Sequence, residues 1–318
     1  MAPILLATVL ATVGCEVETS RTPTAERSPK RPHLRSGSPS NPASPTPTET
    51  TESSSADPAN DYAPNAVIPS KPSPLAKALT KVHADLDADV QAWLRDGGPL
   101  HGPQVRRIER AALFQQRVYR KMTRSPELGR AALRLLDRGL RREARANFTA
   151  GVGLSAGLMP VEPPIRLDTT EPESPHRLRS FYEQAERRFG VDRAILAGVN
   201  FVETRFGRIL GPSSAGALGP MQFLPSTWEQ YGNDGDIMDP HDAIIGAARY
   251  LRASGGVTRP RDALFAYNRS DAYVEAVMAY ARQMQRKPST FFEYYFWQVF
   301  VRTTKGDMQL TGPGADKP

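Results

Sequence analysis

The chain has 318 residues, enough for one or two domains, and its 29 prolines are well above the usual share of ~5%. Its formal net charge of +7 favours an anionic partner. The basic residues form no aromatic-interleaved run and no recognisable nucleic-acid module, so we expect no nucleic acid as a partner. Anionic polymers, lipid head groups or a solvated arginine-rich surface account for the charge as well.

Residues 1–15 have the features of an export signal. Residues 3–14 are nearly all apolar, about the length of a signal-peptide h-region and too short to span a bilayer. The single cysteine, Cys15, ends this run and has no partner for an internal disulfide. Its position resembles a bacterial lipobox, although Thr12 stands where Leu is usual and no Lys or Arg precedes the run. We expect an exported protein anchored to the outer face of the cell membrane through a lipid on Cys15, or one held in the cell wall. A cleaved signal peptide without a lipid is the alternative.

Residues 16–74 consist mainly of Ser, Thr, Pro and charged residues. Such a segment cannot bury enough apolar surface to offset its conformational entropy, so it is predicted to be disordered. Its prolines favour an extended chain, which would act as a tether for the part that follows.

Residues 75–149 are predicted to form a small helical region. Apolar residues at helical spacing mark one helix from Leu75 to Trp93, a second from Val105 to Met122, and a third from Leu133 to Phe148. Such helices suit a small bundle or an antiparallel hairpin, and we assign them no chemistry. Residues 150–176 are rich in Gly and Pro and are predicted to be a linker without a regular helix. Within it, residues 163–167 are expected to lie as an extended strap against the next domain.

The candidate chemistry begins on a helix that follows Gly190 and has Asp192 as its predicted N-cap. Ile195, Val199, Val202 and Phe206 form one face of this helix, which is predicted to end at Gly207. Glu203 lies at the margin of that face, where partial desolvation raises the pKa of a carboxyl group. A carboxyl group that holds its proton near neutral pH suits the general acid of glycosidic cleavage. The alternative is an ordinary surface Glu on an amphipathic helix.

A loop of small, nearly uncharged residues follows from Gly211 to Phe223, and Ala266-Tyr267-Asn268 appears further along the chain. Glu-Thr-Arg-Phe-Gly, this loop and Ala-Tyr-Asn, in that order, resemble the catalytic core of the lytic transglycosylases, lysozyme-like enzymes that cut peptidoglycan. Glu-Thr replaces the commoner Glu-Ser of that family. The resemblance covers roughly residues 177–302 and implies a mostly α, lysozyme-like catalytic domain that acts on peptidoglycan strands. We expect no cofactor, no metal and a monomer. The resemblance implies Glu203 as the catalytic residue and the following residues as substrate-binding: Ser213, Ser214, Met221, Gln222, Phe223, Tyr267 and Asn268.

The acidic residues predict the product. No Asp or Glu lies between Glu203 and Glu229, so the loop offers no second carboxylate for a retaining or inverting hydrolase. We therefore expect cleavage of the bond from N-acetylmuramic acid to N-acetylglucosamine with 1,6-anhydromuramyl ends. A hydrolytic muramidase and a wall-binding protein without turnover are the alternatives.

Three further segments carry predictions. Some relatives bind calcium in an acidic loop near residues 233–239, but twelve-residue counts from Asn233 or Asp234 end on Ile244 or Ile245 instead of Glu, so we predict a polar turn. The aromatic residues 291–297 are predicted to pack onto the domain, with a sugar-stacking platform as the alternative. Residues 303–318 are predicted to be a flexible tail.

Overall fold

The computed structural model describes residues 62–315, so the predicted export signal, Cys15 and most of the predicted tether lie outside the described residues. The described part is mostly helical, with one two-stranded antiparallel hairpin. The helices are α1 (Pro72–Arg95), α2 (Pro103–Arg124), α3 (Pro126–Leu135), α4 (Arg138–Ser155), α5 (Pro175–Phe189), α6 (Arg193–Thr204), α7 (Pro225–Tyr231), α8 (Pro240–Ala253), α9 (Pro260–Tyr267), α10 (Asp271–Arg286) and α11 (Thr290–Tyr295), and the strands are β1 (Phe300–Thr303) and β2 (Gly306–Gln309). None of the helices within residues 62–315 has both the length and the apolar character needed to cross a bilayer.

The helical region contains four helices, so the prediction of three is wrong. The predicted third helix is divided at Asp137, whose Oδ1 accepts hydrogen bonds from the backbone N–H groups of Gly139 (2.8 Å) and Leu140 (3.0 Å) and so begins α4. Helix α4 then continues to Ser155, into the segment predicted to be a linker. Gly151 lies within this helix and allows α4 to pack closely against α2, because a Cβ atom there would lie 2.6 Å from Thr123 Oγ1.

Residues 62–74 are packed against the helical region, so the prediction of disorder up to residue 74 is wrong for this part. Tyr62 is buried beside Phe114, with 5.1 Å between the ring centroids, and its hydroxyl donates to Asp85 Oδ2 at 2.5 Å. The backbone carbonyl of Pro64 accepts a hydrogen bond from Arg117 of α2 at 2.7 Å. One buried aromatic ring and two specific hydrogen bonds thus hold the start of the described chain.

The C-terminal segment is also ordered, so the prediction of a flexible tail is wrong for residues 303–315. Strands β1 and β2 pair with Phe300 opposite Gln309 and Thr303 opposite Gly306. Gln116 of α2 fixes the chain just before the hairpin, because its amide donates to the carbonyl of Gln298 and accepts from the same residue's N–H, both at 2.8 Å. The sequence signal was weak because these strands are short and polar.

Helix α6 lies at the centre of the second half of the molecule, between α5, α8 and α10. Its residues from Ala194 to Thr204 are all buried. The aromatic segment 291–297 is buried too, as predicted, and packs beneath α6: Tyr294 stacks on Phe201 with 5.1 Å between the ring centroids. The predicted strap lies against this domain, since Ile165 is buried and residues 168 and 170 hydrogen-bond to the backbone of residues 210 and 208.

Candidate active site

Glu203 is positioned by the two ends of α6. At the start, Asp192 Oδ1 accepts a hydrogen bond from the N–H of Ala194 at 2.7 Å, so this predicted cap is confirmed. At the other end the helix stops at Thr204, three residues before the predicted Gly207, and Arg205 has φ 55° in the left-handed region. The hydroxyl of Thr204 explains the early stop: it donates to the carbonyl of Pro220 at 2.7 Å and accepts from the N–H of Gly207 at 2.9 Å. The residue beside Glu203 therefore joins the helix to the loop.

The Glu203 carboxyl is buried more deeply than its place at the margin of an apolar face predicted. The residue is 2% exposed. Burial raises the pKa of Glu203 to about 8, because a desolvated carboxyl group favours its neutral form, and a hydrogen-bonding interaction with the Tyr273 hydroxyl acts weakly in the opposite direction. At neutral pH the group therefore carries a proton that it can donate.

Tyr273, in the first turn of α10, is a site residue that sequence reasoning missed. Its hydroxyl lies beside Glu203, and burial together with the Glu203 charge raises the pKa of Tyr273. Neither this hydroxyl nor Glu203 Oε2 has a hydrogen-bond partner of good geometry among the described residues. Tyr273 lies one turn before Val277 on the buried face of α10, so its spacing indicated a core residue and no chemistry.

The small-residue loop forms a tight turn beside α6. Ser213 Oγ accepts hydrogen bonds from the N–H groups of Ala215 (3.2 Å) and Ala217 (3.0 Å), which makes this predicted substrate-binding residue a support for the turn. Ser214 is exposed. Gly219 has φ +73°, and a Cβ atom there would collide with the carbonyl oxygen of Ile237, so both conformation and space require glycine.

The Met-Gln-Phe end of the loop is anchored to Tyr267. The Tyr267 hydroxyl donates to the carbonyl oxygen of Met221 at 2.6 Å. Tyr267 is therefore a buried aromatic residue of the core whose hydroxyl already has a partner within the protein. The buried ring of Phe223 packs edge-on against Tyr267, with 5.9 Å between centroids. Gln222 is buried with φ 51°, and its amide donates to the carbonyl of Gly219 at 3.0 Å, which leaves Oε1 unpaired.

Several buried polar atoms of α6, the small-residue loop and the segments beside α9 and α10 lack a hydrogen-bond partner within residues 62–315. They are Glu203 Oε2, Gln222 Oε1, the Tyr273 hydroxyl, and both side-chain polar atoms of Asn268. A buried polar group left unpaired costs about 1–3 kcal/mol, so such groups are normally paired with ordered water or a ligand, or are kept for a function. Of the sequence-predicted residues, Glu203, Gln222 and Asn268 therefore offer free polar atoms, whereas Ser213, Met221, Phe223 and Tyr267 hold the fold of the site.

The surroundings of Glu203 include residues to which the sequence assigned no chemistry. Glu203 lines a small cavity of about 20 Å³ together with Gln116 and Arg120 of α2, Arg205, and residues 298–300, where the hairpin begins. The helical region and the C-terminal segment thus lie directly beside α6, although they are far from it in sequence.

Two groups of side chains bring metal-binding atoms together. His83, Glu143 and Glu293 have such atoms within 4.8 Å of one another, but the Lys287 ammonium lies 3.0 Å from Glu293 Oε1 and already supplies a positive charge. Asp239, His241 and Asp242 form the other group. There, Asp239 Oδ1 caps α8 by accepting from the N–H of Asp242 at 2.9 Å, and Asp242 Oδ2 accepts from the N–H of Asp236 at 3.0 Å. These carboxylates have the turn and capping roles that the sequence predicted.

Residues 180–289, from α5 to the segment before α11, match the family described as Transglycosylase SLT domain. The match supports a lytic transglycosylase with a lysozyme-like domain, and the mostly helical structure agrees with such a fold. It also supports transglycosylase activity on peptidoglycan in general, which makes peptidoglycan the substrate. A comparison with curated proteins and one with solved structures gave no match.

The loop geometry predicts different costs for two glycine substitutions. Gly216 and Gly219 both have positive φ, but a Cβ atom at Gly216 would meet nothing within 4 Å. We expect Gly216→Ala to cost about 1–2 kcal/mol of unfolding free energy, the penalty of the left-handed conformation. Gly219→Ala should cost a further ~1–3 kcal/mol through overpacking against Ile237. Urea denaturation of both variants checks this, and equal costs would contradict the close approach of Gly219 to Ile237.

The raised pKa of Glu203 predicts how stability depends on pH. The unfolded chain loses this proton near pH 4.5, whereas the folded state holds it up to about pH 8. The free energy of unfolding of the parent therefore falls as pH rises between these two values. Glu203→Gln removes this loss of stability. The stability of the variant relative to the parent should therefore rise between these pH values, by up to ~1.4 kcal/mol per pH unit, and should be constant outside the window. Denaturation of both proteins across the range measures the difference, and a flat difference throughout would refute the raised pKa.

Proposed function

We propose that this protein is a lytic transglycosylase that cleaves the β-1,4 bond between N-acetylmuramic acid and N-acetylglucosamine, forms 1,6-anhydromuramyl ends and uses Glu203 as its sole acid and base. The observation that carries the proposal is the buried Glu203 carboxyl with its pKa raised to about 8, in a domain of the transglycosylase SLT family. A group that is protonated at neutral pH suits the first step, and its conjugate base suits the second.

The reaction balances without a second protein group. Protonated Glu203 donates its proton to the glycosidic oxygen, and the bond from that oxygen to C1 of the muramyl residue breaks. The 6-hydroxyl oxygen of the same muramyl residue then bonds to C1, and its proton passes to the Glu203 carboxylate. The enzyme ends in its starting protonation state, and no water is consumed.

The surroundings of Glu203 within residues 62–315 favour ring closure over hydrolysis. A retaining hydrolase needs a second carboxylate about 5–5.5 Å from the first, and an inverting one about 6.5–9.5 Å. Burial and Tyr273 account for the pKa of Glu203, and no acidic side chain of residues 62–315 contributes to it. Intramolecular attack by the 6-hydroxyl has an effective molarity of up to ~10⁵–10⁸ M in well-oriented systems, far above that of water.

The unpaired polar atoms of Gln222 and Asn268 suit substrate binding. An amide offers both a donor and an acceptor, which match the hydroxyl and acetamido groups of the two sugars. Tyr273 acts as a positioning residue in this proposal, because its hydroxyl lies beside the carboxyl that donates the proton.

The catalytic assignment predicts the effect of Glu203→Gln. The amide keeps the shape of the side chain but neither donates nor accepts the catalytic proton, so release of soluble muropeptides from peptidoglycan should fall by ~10²–10⁴-fold. Glu229→Gln is the matched control, because Glu229 is the next acidic residue along the chain and is exposed on α7. Near-parental activity of the Glu203 variant would remove Glu203 from the mechanism, whereas loss of activity in both variants would point to a defect unrelated to the acid.

The reaction predicts the mass of the product. Muropeptides released by the parent protein should end in 1,6-anhydromuramic acid and be lighter by one water than hydrolysed muropeptides. Mass spectrometry of the soluble fraction measures this directly. Reducing-end muramic acid as the main product would make the protein a hydrolytic muramidase, and binding without release of any muropeptide would make it a non-catalytic wall-binding protein.

We also propose that the protein is exported and anchored through Cys15. Membrane attachment by one acyl chain is marginal, whereas two chains anchor stably. Cys15→Ser should therefore move the protein from the membrane fraction to the medium, or leave it unprocessed in the membrane. Fractionation of cells that express the parent and the variant tests this. Recovery of the parent as an unmodified protein in the medium would contradict the lipid anchor and indicate secretion without lipidation.

A further inference from the structure

A second cavity of about 200 Å³ lies between α2, α4, α10 and the C-terminal hairpin. Its lining includes three aromatic residues, Tyr119, Tyr280 and Trp297, and the aliphatic residues Leu154 and Leu158. Four arginines also line it, against one acidic residue, Asp307. The arginines are Arg120, Arg124, Arg205 and Arg302.

The cavity has more positive charge than its acidic residue neutralises. Asp307 Oδ1 is shared between Arg120, at 2.7 Å, and Arg124, at 3.1 Å. Arg205 and Arg302 make no ion pair with any carboxylate in the described part of the chain, although the Arg205 guanidinium donates to the carbonyl of Phe201 and lies over the Phe201 ring, 4.4 Å from its centroid. Burial lowers the pKa of Arg205 to about 10, with the Arg120 charge acting in the same direction, and an anion beside these groups would offset both effects.

The cavity also contains buried donors without acceptors. Tyr119 is 3% exposed, and its hydroxyl interacts with Asn147 without good hydrogen-bond geometry. The buried Nε of Arg302 has no hydrogen-bond partner among residues 62–315. Asn147 lines the same cavity, but its Oδ1 already accepts hydrogen bonds from Tyr294 (2.7 Å) and Gln283 (2.9 Å). Unpaired donors beside unpaired cations are the complement of an acceptor with negative charge.

This cavity is close to Glu203. Gln116, Arg120 and Arg205 line both it and the small cavity that Glu203 lines. Arg205 follows Glu203 by two residues, so their Cα atoms are no more than about 7.6 Å apart. A substituent on a sugar held at Glu203 therefore has a short path to the arginines.

We propose that this cavity binds a carboxylate of the peptide stems that the muramyl residues carry, an inference that rests on the proposed function. The lactyl carboxyl of each muramyl residue is used in the amide bond to its stem, so the free carboxylates of the substrate are in the peptide. The planar fork of an arginine matches a carboxylate, and the aromatic rings suit the short apolar side chains of such peptides. Four extended residues span up to ~14 Å, which covers the path from the sugar. The helical region thus gains a role as one wall of a specificity site.

The test compares two substrates: uncrosslinked glycan strands with their stems, and the same strands after an amidase has removed the stems. On strands with stems, Arg302→Gln should lower kcat/KM by ~10-fold or more, the effect expected for a lost charged hydrogen bond, mainly through KM. On strands without stems, the variant and the parent should be equal. Arg187→Gln, which removes an exposed arginine of α5 that lines neither cavity, is the control for net charge and should equal the parent on both substrates.

Tyr119→Phe is the second variant, because it removes only the unpaired hydroxyl and keeps the ring that packs in the core. It should weaken the preference for strands with stems while its melting temperature stays near that of the parent. An equal loss of kcat/KM on both substrates, or no loss of kcat/KM on either, would overturn the assignment of the cavity as a peptide site.

A binding measurement separates failure of this inference from failure of the proposed function. The released stem tetrapeptide is titrated into the parent and into Arg302→Gln, with tryptophan fluorescence as the readout because Trp297 lines the cavity; Trp297→Phe identifies its signal. If the parent cuts neither substrate but binds the peptide through Arg302, the proposed function fails and the site stands. If the parent cuts strands but does not bind the peptide, or binds poly(glycerol phosphate) in its place, the peptide site is wrong.

Discussion

Burial of the Glu203 carboxyl is the constraint on which the rest of the structure depends. A carboxyl group that is almost fully removed from water is stable only in its neutral form unless a cation or several donors stabilise its charge. Burial is the largest influence on the pKa of Glu203 and raises it, whereas the smaller effect of the Tyr273 hydroxyl lowers it. The fold therefore keeps a proton at the end of a helix, and the same burial makes the folded protein lose stability as the pH rises from 4.5 to about 8.

The elements around α6 keep this arrangement fixed. Thr204 ties the end of the helix to Pro220, and Tyr267 ties the following residue, Met221, to α9. The loop is therefore held from both sides, while the polar atoms of Gln222 and Asn268 are left free. The rigid contacts use backbone carbonyls and the free atoms belong to side chains, which is the division expected of a site organised before its ligand binds. Helix α2 and the hairpin complete the surroundings with arginines.

The helices and the acid were predictable from sequence because they depend on local rules. Asp192 caps α6 as expected, and the period of the apolar residues placed Glu203 on that helix. Contacts between distant segments were not predictable: Tyr62 packs on Phe114, and Gln116 pairs with Gln298, although nothing local in the sequence marks either pair. The roles of Tyr267 and Tyr273 were likewise not predictable, since both lie on apolar helix faces. Only the fold shows that Tyr267 supports the loop and that Tyr273 lies beside Glu203.

A measurement of the pKa of Glu203 tests most directly whether this residue is protonated at neutral pH. Carbon NMR of the full chain with labelled glutamate side chains, titrated with pH and assigned by comparison with Glu203→Gln, reports the ionisation of this one carboxyl group. The account predicts a midpoint of about 8. A midpoint near the ordinary value of 4.5 would mean that the group is ionised at neutral pH and is not the acid that the mechanism requires.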